Sequence, residues 1–288
     1  MSQVPNIHPF HHAGSGTWSY LVEDGREAAV IDPVFDFDAD TATLRDTPVQ
    51  GLAERLSARG LQLRWILETH AHADHVSAAQ WFKRRWPQAT LAIGAGIRAV
   101  RARFAPQFGL AADDDDARCG FDHLFVDGER FAIGALQAQV IAVPGHTDDS
   151  IAYLIGDALF CGDSLFMPDS GTARCDFPGG DAATLFRSIH KLYALPACTR
   201  VFVCHDYGAG GRAVACETSI GAQRRSNIHV RDGVGEAEFV ALRQARDATL
   251  APPRLLQPSV RANIQAGRTD ELHAAPRAED GRMRAYRA

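Results

Sequence analysis

The chain has 288 residues, of which 46% are hydrophobic and 23% are charged, a composition that supplies a buried core and excludes an intrinsically disordered protein. The 30 Lys and Arg against 35 Asp and Glu argue against nucleic acid as a main partner, because nucleic-acid-binding proteins usually carry a basic face. No apolar run approaches the ~20 residues that cross a bilayer, and the six cysteines form no C-x-x-C pair, so we expect no membrane span and a reducing, cytoplasmic location.

The first half of the chain alternates between strand and helix patterns. The predicted elements are, in chain order, strands 17–22 and 28–31 around the turn Asp24-Gly25, helix 51–59, strand 63–67, helix 76–86, strand 91–93 and helix 97–104. The four aspartates at 113–116 predict a solvated loop, since adjacent like charges repel.

The second half is richer in strands. Its predicted elements are strands 131–133, 138–143, 151–155 and 158–161, helix 181–195, strand 201–204 and helix 236–249. Beyond Pro258 the chain is polar and Arg-rich, which predicts a loose tail. Two strand-rich blocks, each followed by helices, favour an α/β sandwich in which helices cover two packed sheets.

The densest cluster of potential metal ligands lies between a buried strand and a helix. It consists of His70, His72, Asp74 and His75. Imidazole suits zinc and iron, and a carboxylate adds charge to such a site. The alternative is that Asp74 caps the following helix and the histidines are polar loop residues. Four ligand-type residues within six positions favour the metal site.

Three further ligand-type residues follow apolar strands directly. They are His146 after 138–143, Asp163 after 158–161 and His205 after 201–204. A single such residue is more often a cap or a turn residue. Because strand ends share one edge of a sheet, these side chains can meet the first cluster there.

The ordered set THAHADH, a lone His after a Pro-Gly turn, Gly-Asp-Ser and His-Asp-Tyr resembles the metallo-β-lactamase superfamily from about Gly16 to Tyr207. The resemblance implies an αββα sandwich with the metal site at one edge of its two sheets, a catalytic domain over 1–250 and a C-terminal extension over 251–288. In the two-metal hydrolases of the superfamily, one metal binds the counterparts of His70, His72 and His146, the other binds those of Asp74, His75 and His205, and that of Asp163 bridges them.

The segment 167–181 is similar to the persulfide dioxygenase branch, which is related to glyoxalase II. Its Gly-Thr-Ala-Arg-Cys-Asp-Phe departs from the common Gly-Thr-Gly-Arg-Thr-Asp-Phe at Ala173 and Cys175. The resemblance implies a dioxygenase that oxidises glutathione persulfide with O2 to sulfite and glutathione, with one Fe(II) per chain bound by His72, His146 and Asp163. Two imidazoles and a carboxylate form the facial triad of non-haem Fe(II) oxygenases.

The same resemblance implies roles for the other motif residues. His70, Asp74, His75 and His205 would orient the ligands and bound water through hydrogen bonds. Arg174 would bind a carboxylate of glutathione, or else form a salt bridge with Asp169 or Asp176. Tyr207 stands where related glutathione enzymes place a tyrosine near the substrate. Members of this fold often dimerise, so a homodimer is possible.

Two other functions remain open on the same residues. A two-zinc hydrolase of S-acylglutathione thioesters is favoured by the fact that all seven ligand positions are filled. A non-catalytic metal sensor is the third reading, and it would be expected to lack one or more ligands. A redox role of Cys175 would require a lowered thiol pKa.

Overall fold

The computed structural model describes residues 4–110, 120–270 and 272. The strands are β1 Asn6–His12, β2 Thr17–Asp24, β3 Glu27–Ile31, β4 Asp36–Asp38, β5 Thr43–Arg45, β6 Gln62–Leu67, β7 Thr90–Gly94, β8 His123–Phe125, β9 Arg130–Ile133, β10 Leu136–Ala142, β11 Ile151–Ile155, β12 Ala158–Phe160, β13 Arg200–Phe202 and β14 Glu217–Ser219. The helices are α1 Thr47–Ala58, α2 Ala79–Arg85, α3 Ile97–Phe104, α4 Ala182–Tyr193, α5 Ile220–Ser226, α6 Glu236–Asp247 and α7 Leu256–Asn263.

The predicted αββα sandwich is confirmed. One six-stranded sheet has the order β1-β2-β3-β6-β7-β8, the other has the order β14-β13-β12-β11-β10-β9, and β4-β5 form a separate hairpin. Both large sheets are mixed, with parallel pairing from β3 to β8 in the first and between β12 and β13 in the second. Apolar residues of both sheets, including Tyr20, Ile31, Phe160 and Phe202, form the core between them.

Helices cover the outer faces of the two sheets. On the first sheet, Leu52 and Leu56 of α1 pack in one core with residues of α2 and α3. On the second, Leu185 and Ile189 of α4 pack against strands β11 to β13. The period of about 3.6 residues per turn brings side chains four positions apart onto one buried helix face. Within the described residues no helix is long and apolar enough to span a membrane.

The structure differs from the predicted elements in two places near the N-terminus. Strand β1 was not predicted; it pairs antiparallel with β2 at the edge of the first sheet, where its side chains are only partly buried. The helix predicted from Val76 begins at Ala79 instead. Residue Ser77 makes a β-bridge to Val34 and donates its backbone N–H to Asn263 Oδ1 at 2.9 Å, so tertiary contacts take up the expected first turn.

The segment after Pro258 is not a loose tail throughout. Helix α7 buries Val260, and the chain continues through the buried residues Ile264 and Ala266 in the core beneath the first sheet. The sequence obscured this packing because these apolar residues are spaced among polar ones, as in an amphipathic helix. The aspartates at 113–116 and the Arg-rich end at 273–288 lie outside the described residues.

Candidate metal centre

The ligand-type side chains gather at the edge where strands of both sheets end. His70, His72, Asp74 and His75 follow β6, His146 follows β10, Asp163 follows β12 and His205 follows β13. The turn that presents Asp163 requires glycine at 162, where φ is 51° and a Cβ would lie 2.8 Å from Thr69 Oγ1. The sequence motifs therefore come together because the strands they follow end at the same edge, as predicted.

One group consists of His70, His146 and Asp163, whose ligand atoms lie within 4.8 Å of one another. The Nε2 atoms of His70 and His146 lie 3.8 Å and 3.7 Å from the same oxygen, Asp163 Oδ2. The other ring nitrogen of each histidine is held: His70 Nδ1 lies 3.0 Å from Thr69 Oγ1, and His146 Nδ1 donates to the Arg174 carbonyl at 2.7 Å. Because a carbonyl only accepts, His146 Nε2 keeps a free lone pair that faces the group.

A second group consists of His72, Asp74, His75 and His205, again within 4.8 Å. Asp74 Oδ2 lies 3.5 Å from His205 Nε2, and that nitrogen lies 3.5 Å from Asp163 Oδ1. Asp163 therefore stands between the two groups, with one oxygen toward each. The arrangement offers ligands for one metal ion or for two.

His72 does not join the group in which the sequence placed it. Its Nε2 lies 3.2 Å from Asp32 Oδ1 and 3.6 Å from Glu68 Oε2, which leaves its unpartnered Nδ1 as the atom that can bind a metal. The set of two histidines and one aspartate that the structure brings together contains His70 in its place. The two residues are only two positions apart, and His72 groups instead with Asp74, His75 and His205.

The residues fit a metal cation. Five buried polar atoms of the two groups have no hydrogen-bond partner: His70 Nε2, His72 Nδ1, His75 Nε2, His205 Nε2 and Asp163 Oδ1. A buried polar atom without a partner costs free energy, and such atoms are rare in folded proteins. These atoms lie close together, and each can donate a lone pair to a metal ion.

The electrostatics of the cluster suit the same assignment. Burial holds the pKa of His70 and His72 well below its usual range, so both rings are neutral, as metal ligands must be. Burial opposes ionisation of Asp74, yet His205 and His75 hold the pKa of its carboxyl well below the usual range. A carboxylate that stays anionic beside the neutral rings of His70 and His72 attracts a divalent cation.

Comparison with known proteins places the fold and these motifs in one family. The model of the metallo-beta-lactamase superfamily matches residues 13–205, which include both ligand groups. The chain belongs to the metallo-β-lactamase superfamily.

Relatives of this superfamily member carry different activities in their names. It is 43% identical to a probable metallo-hydrolase of Burkholderia pseudomallei over 92% of this chain and 94% of that protein. It is 41% identical to the glyoxylase B2 of Dictyostelium discoideum, over 93% and 92% of the two chains. It is 32% identical to the mitochondrial persulfide dioxygenase ETHE1 of Homo sapiens, over 88% and 85%.

A solved structure agrees with the branch that the segment 167–181 predicted. The crystal structure of ETHE1 from Myxococcus xanthus superimposes with a TM-score of 0.72 at 30% identity, over 91% of this chain and all of that one. The predicted resemblance to the persulfide dioxygenase branch is thus supported in both sequence and structure.

The loop 70–77, which follows β6 and carries four of the ligand-type residues, is called the metal loop. Two residues that sequence analysis missed hold this loop in place. Asp32 accepts the backbone N–H of Thr69 at 2.7 Å and its hydroxyl at 2.9 Å, and it also faces His72. Asn263 donates to the backbone carbonyls of His72 and His75, both at 2.8 Å. Asp32 directly follows β3, so the strand-end pattern could have found it; Asn263 had no comparable pattern.

A cavity of about 930 Å³ opens over both ligand groups, with Asp74 and His75 of the second group in its wall. Its wall includes His146, Asp163, Phe166, Phe177 and the C-terminal residues Arg243, Arg246, Leu250, Pro253, Arg254 and Leu255. The extension beyond residue 250 therefore forms part of the site. The wall combines charged side chains with a few aromatic and aliphatic ones, which suits a polar small molecule.

Both residues expected to bind substrate line this cavity, but only Tyr207 is exposed there, whereas Arg174 is bonded to an aspartate. Tyr207 lines it, is 66% exposed, and stacks on His205 with ring centroids 6.0 Å apart. Arg174 also lines it, but its guanidinium makes two bonds of 2.6 Å to Asp176 and one to the Ala251 carbonyl. The salt bridge that the sequence left open is thus the contact that Arg174 makes.

Cys175 does not have the surroundings of a redox-active thiol. It is 7% exposed, and burial raises its pKa to about 12. Reactive thiols have a lowered pKa, because the thiolate is the nucleophile. Cys175 instead serves the fold, since its backbone N–H donates to Asp247 at 2.9 Å.

Proposed function

We propose that this protein is a persulfide dioxygenase with one Fe(II) bound by His70, His146 and Asp163. The substrate would be glutathione persulfide, oxidised by O2 and water to glutathione and sulfite. The observation that carries the proposal is the grouping of two imidazole nitrogens around one aspartate oxygen, the facial triad of non-haem iron oxygenases. The similarity to a human persulfide dioxygenase and to the ETHE1 structure supports it.

The iron, when bound, would supply sites for the anionic sulfur and for O2 activation. The chain's own residues hold and shield these sites. The Arg174 carbonyl accepts a hydrogen bond from His146 Nδ1 and so keeps His146 in the tautomer that leaves Nε2 free, and Phe166 and Phe177 add apolar surface to the cavity wall. A cavity of about 930 Å³ is large enough for a tripeptide thiol.

A second candidate is a two-metal hydrolase of S-acylglutathione thioesters. The second ligand group favours it, because His72, Asp74, His75 and His205 remain together and their unpartnered atoms face one volume. The similarity to a probable metallo-hydrolase and to a glyoxylase points the same way. Two-metal sites activate a bridging water for attack on a carbonyl.

The two candidates are separated by measurements on one preparation. Protein purified without added metal is assayed for iron and zinc, for O2 consumption with glutathione persulfide, and for cleavage of an S-acylglutathione. We expect about one iron per chain, with sulfite and glutathione formed in equal amounts to the O2 consumed. Two zinc ions per chain with thioester cleavage and no O2 consumption would instead establish the hydrolase.

We propose Arg246 as the residue that binds a carboxylate of the substrate. Four other arginines line the cavity, and each is paired with an aspartate: Arg45 with Asp36, Arg174 with Asp176, Arg243 with Asp247 and Arg254 with Asp40. Among the described residues no ion pair of Arg246 is found, although it lies on the wall. A free guanidinium binds carboxylate with two parallel hydrogen bonds.

We expect Arg246→Ala to raise KM for glutathione persulfide about tenfold, because a charge-assisted hydrogen bond contributes roughly 1.5 kcal/mol or more. The kcat value should change little, since Arg246 belongs to neither ligand group. Steady-state O2 consumption measures both constants. Arg254→Ala is the matched control on the same wall, and a KM change as large as that of Arg246→Ala would contradict the assignment.

A further inference from the structure

The segment 172–175 meets both the metal centre and the cavity, and it belongs to no helix or strand. Thr172, Ala173 and Arg174 line the cavity, and the Arg174 carbonyl accepts the hydrogen bond of His146 Nδ1 at 2.7 Å. The four residues make no backbone-to-backbone hydrogen bond with any residue that the structure describes. Because buried backbone groups need partners, side chains from elsewhere must hold this segment.

Two residues of α6 hold the segment on either side of Arg174. Arg243 Nη1 donates to the Thr172 carbonyl at 2.8 Å, and the Cys175 N–H donates to Asp247 Oδ2 at 2.9 Å. Arg243 Nη2 also donates to Asp247 Oδ1, so an ion pair joins the two contacts. The two side chains are only 2% and 5% exposed, and their spacing of four positions places them on one face of the helix.

We propose that Arg243 and Asp247 are positioning residues for the metal ligand His146 and act through the segment 172–175. The inference rests on the proposed function in taking His146 as a ligand, which both candidate reactions require. The Arg174 carbonyl fixes the tautomer of His146, whose Nε2 lies 3.7 Å from Asp163 Oδ2. Groups that hold the second nitrogen of a ligating histidine set its orientation and its affinity for the metal.

The start of the segment is anchored separately. The Thr172 N–H donates to His229 Nδ1 at 3.0 Å, and Asn227 Nδ2 donates to the Gly171 carbonyl at 3.0 Å. Gly171 has a φ of 85°, and a Cβ there would clash with the His229 ring. Asn227 and His229 are buried. The contacts with α6 add to this anchor on the side of the segment that meets His146.

The proposed role requires the planar fork of an arginine. One terminal nitrogen of Arg243 reaches Thr172 while the other reaches Asp247. A guanidinium presents these donors in a fixed geometry, whereas the ammonium of lysine is a compact point charge. Lysine at 243 would therefore keep the ion pair with Asp247 and lose the fixed contact with the Thr172 carbonyl. This difference separates the support of folding by the ion pair from the positioning of His146.

The first test compares Arg243→Lys with the wild type in the full chain loaded with Zn²⁺. We expect the Zn²⁺ affinity, measured by competition with a chelator, to fall about tenfold, as for other residues that orient a metal ligand. Arg187→Lys is the matched control, because Arg187 pairs with Glu236 at the other end of α6. An affinity of Arg243→Lys within about twofold of the wild type, or an equal loss in Arg187→Lys, would overturn the proposal.

A spectroscopic signal reports on His146 directly. In the same Zn²⁺-loaded chain, nitrogen-15 NMR follows exchange of the His146 Nδ1 proton with solvent. We expect slow exchange in the wild type, because this proton is bonded to the Arg174 carbonyl, and faster exchange in Arg243→Lys. A residue that only stabilises the fold would leave this hydrogen bond unchanged. Equal exchange rates in the two proteins therefore contradict a positioning role.

Steady-state kinetics of the iron enzyme separate positioning from substrate binding, since Arg243 also lines the cavity. We expect Arg243→Lys to lower kcat for persulfide oxidation and to leave KM within about twofold of the wild type. Arg246→Ala is expected to show the opposite pattern. A raised KM with an unchanged kcat in Arg243→Lys would make Arg243 a substrate-binding residue and reject the proposal.

Hydrogen exchange of the wild type tests the contacts even if Arg243→Lys does not fold. The Cys175 N–H lies outside helices and strands and has Asp247 as its partner, so we expect its exchange to be strongly slowed. Exchange as fast as in an unstructured chain would rule the contact out. If the wild type fails to oxidise persulfide, the proposed function fails, and the Zn²⁺ affinities and exchange rates still decide the role of Arg243 and Asp247.

Discussion

His70→Ala should lose nearly all of its iron and its O2-dependent activity. The His70 ring supplies one of the three ligand atoms around Asp163 Oδ2, and it is 1% exposed, so no solvent ligand replaces it easily. Replacement of a residue that merely supports a ligand costs ~10- to 100-fold in metal affinity or activity, and loss of a ligand costs more. Iron analysis of the purified variant and O2 consumption with glutathione persulfide measure the effect, which Asp163→Ala should reproduce.

His72→Ala is the matched comparison, two positions away and equally buried. Because His72 groups with Asp74, His75 and His205 rather than with His146 and Asp163, we expect this variant to keep most of its iron. His75→Ala should also keep much of its iron. If His72→Ala loses iron while His70→Ala retains it, the ligand set is the one that the sequence predicted. If the variants each lose half of two bound metals, the two-metal hydrolase is the better assignment.

Asn263→Ala should damage the metal loop from the opposite end of the chain. Its amide donates to the carbonyls of His72 and His75 and accepts from the N–H of Ser77, and the residue is 4% exposed. Removal leaves three buried backbone groups without partners. We expect the free energy of unfolding to fall by about 2–4 kcal/mol, since each unsatisfied buried group costs ~1–3 kcal/mol. Urea denaturation measures it, and iron content should fall as the loop loosens.

Two further variants make the Asn263 result specific. Gln257→Ala lies on the same helix and is exposed, so it should change the unfolding free energy by less than about 0.5 kcal/mol. Asn263→Asp keeps the acceptor for Ser77 but loses both donors and adds a buried charge, so it should be as damaging as the alanine variant. Wild-type stability and iron content in Asn263→Asp would show that the two donated hydrogen bonds do not hold the loop.

The residues of the candidate site were largely predictable because each belongs to a local pattern. His146, Asp163 and His205 each follow a short apolar strand, and strands that end at one edge of a sheet bring such residues together. The same reasoning extends to Asp32 after β3, although the sequence analysis assigned it no role. Local sequence is informative here because strand ends are set by alternation and by Gly, Pro and Asp next to each strand.

The choice between His70 and His72 was not predictable from their spacing. Both rings lie in an irregular loop, where no helical or strand period relates the directions of successive side chains. Asp32 and Glu68 lie 3.2 Å and 3.6 Å from His72 Nε2, and Thr69 Oγ1 lies 3.0 Å from His70 Nδ1. These contacts join residues up to 40 positions apart, so the ligand set depends on how the strands pack.

Which arginines of the cavity wall are paired with an aspartate also depends on the tertiary structure. The sequence offered Arg174 equally to substrate and to a salt bridge, and the structure pairs it with Asp176, two residues away. It also brings α6 and the segment beyond residue 250 to the cavity wall, which leaves Arg246 there. The cavity wall is built from segments far apart in the chain, so no hydrophobic or polar period in the sequence predicts it.

The sequence alone determined the sandwich of two sheets, the edge at which ligand-type residues meet and the kinds of atoms they offer, because all three follow from strand periodicity and from the residue that ends each strand. The tertiary structure decided which imidazoles group with Asp163 and which C-terminal amide holds the loop 70–77. Each of these depends on hydrogen bonds between segments far apart in the chain, and the direction of a buried polar side chain is set by the partner it reaches.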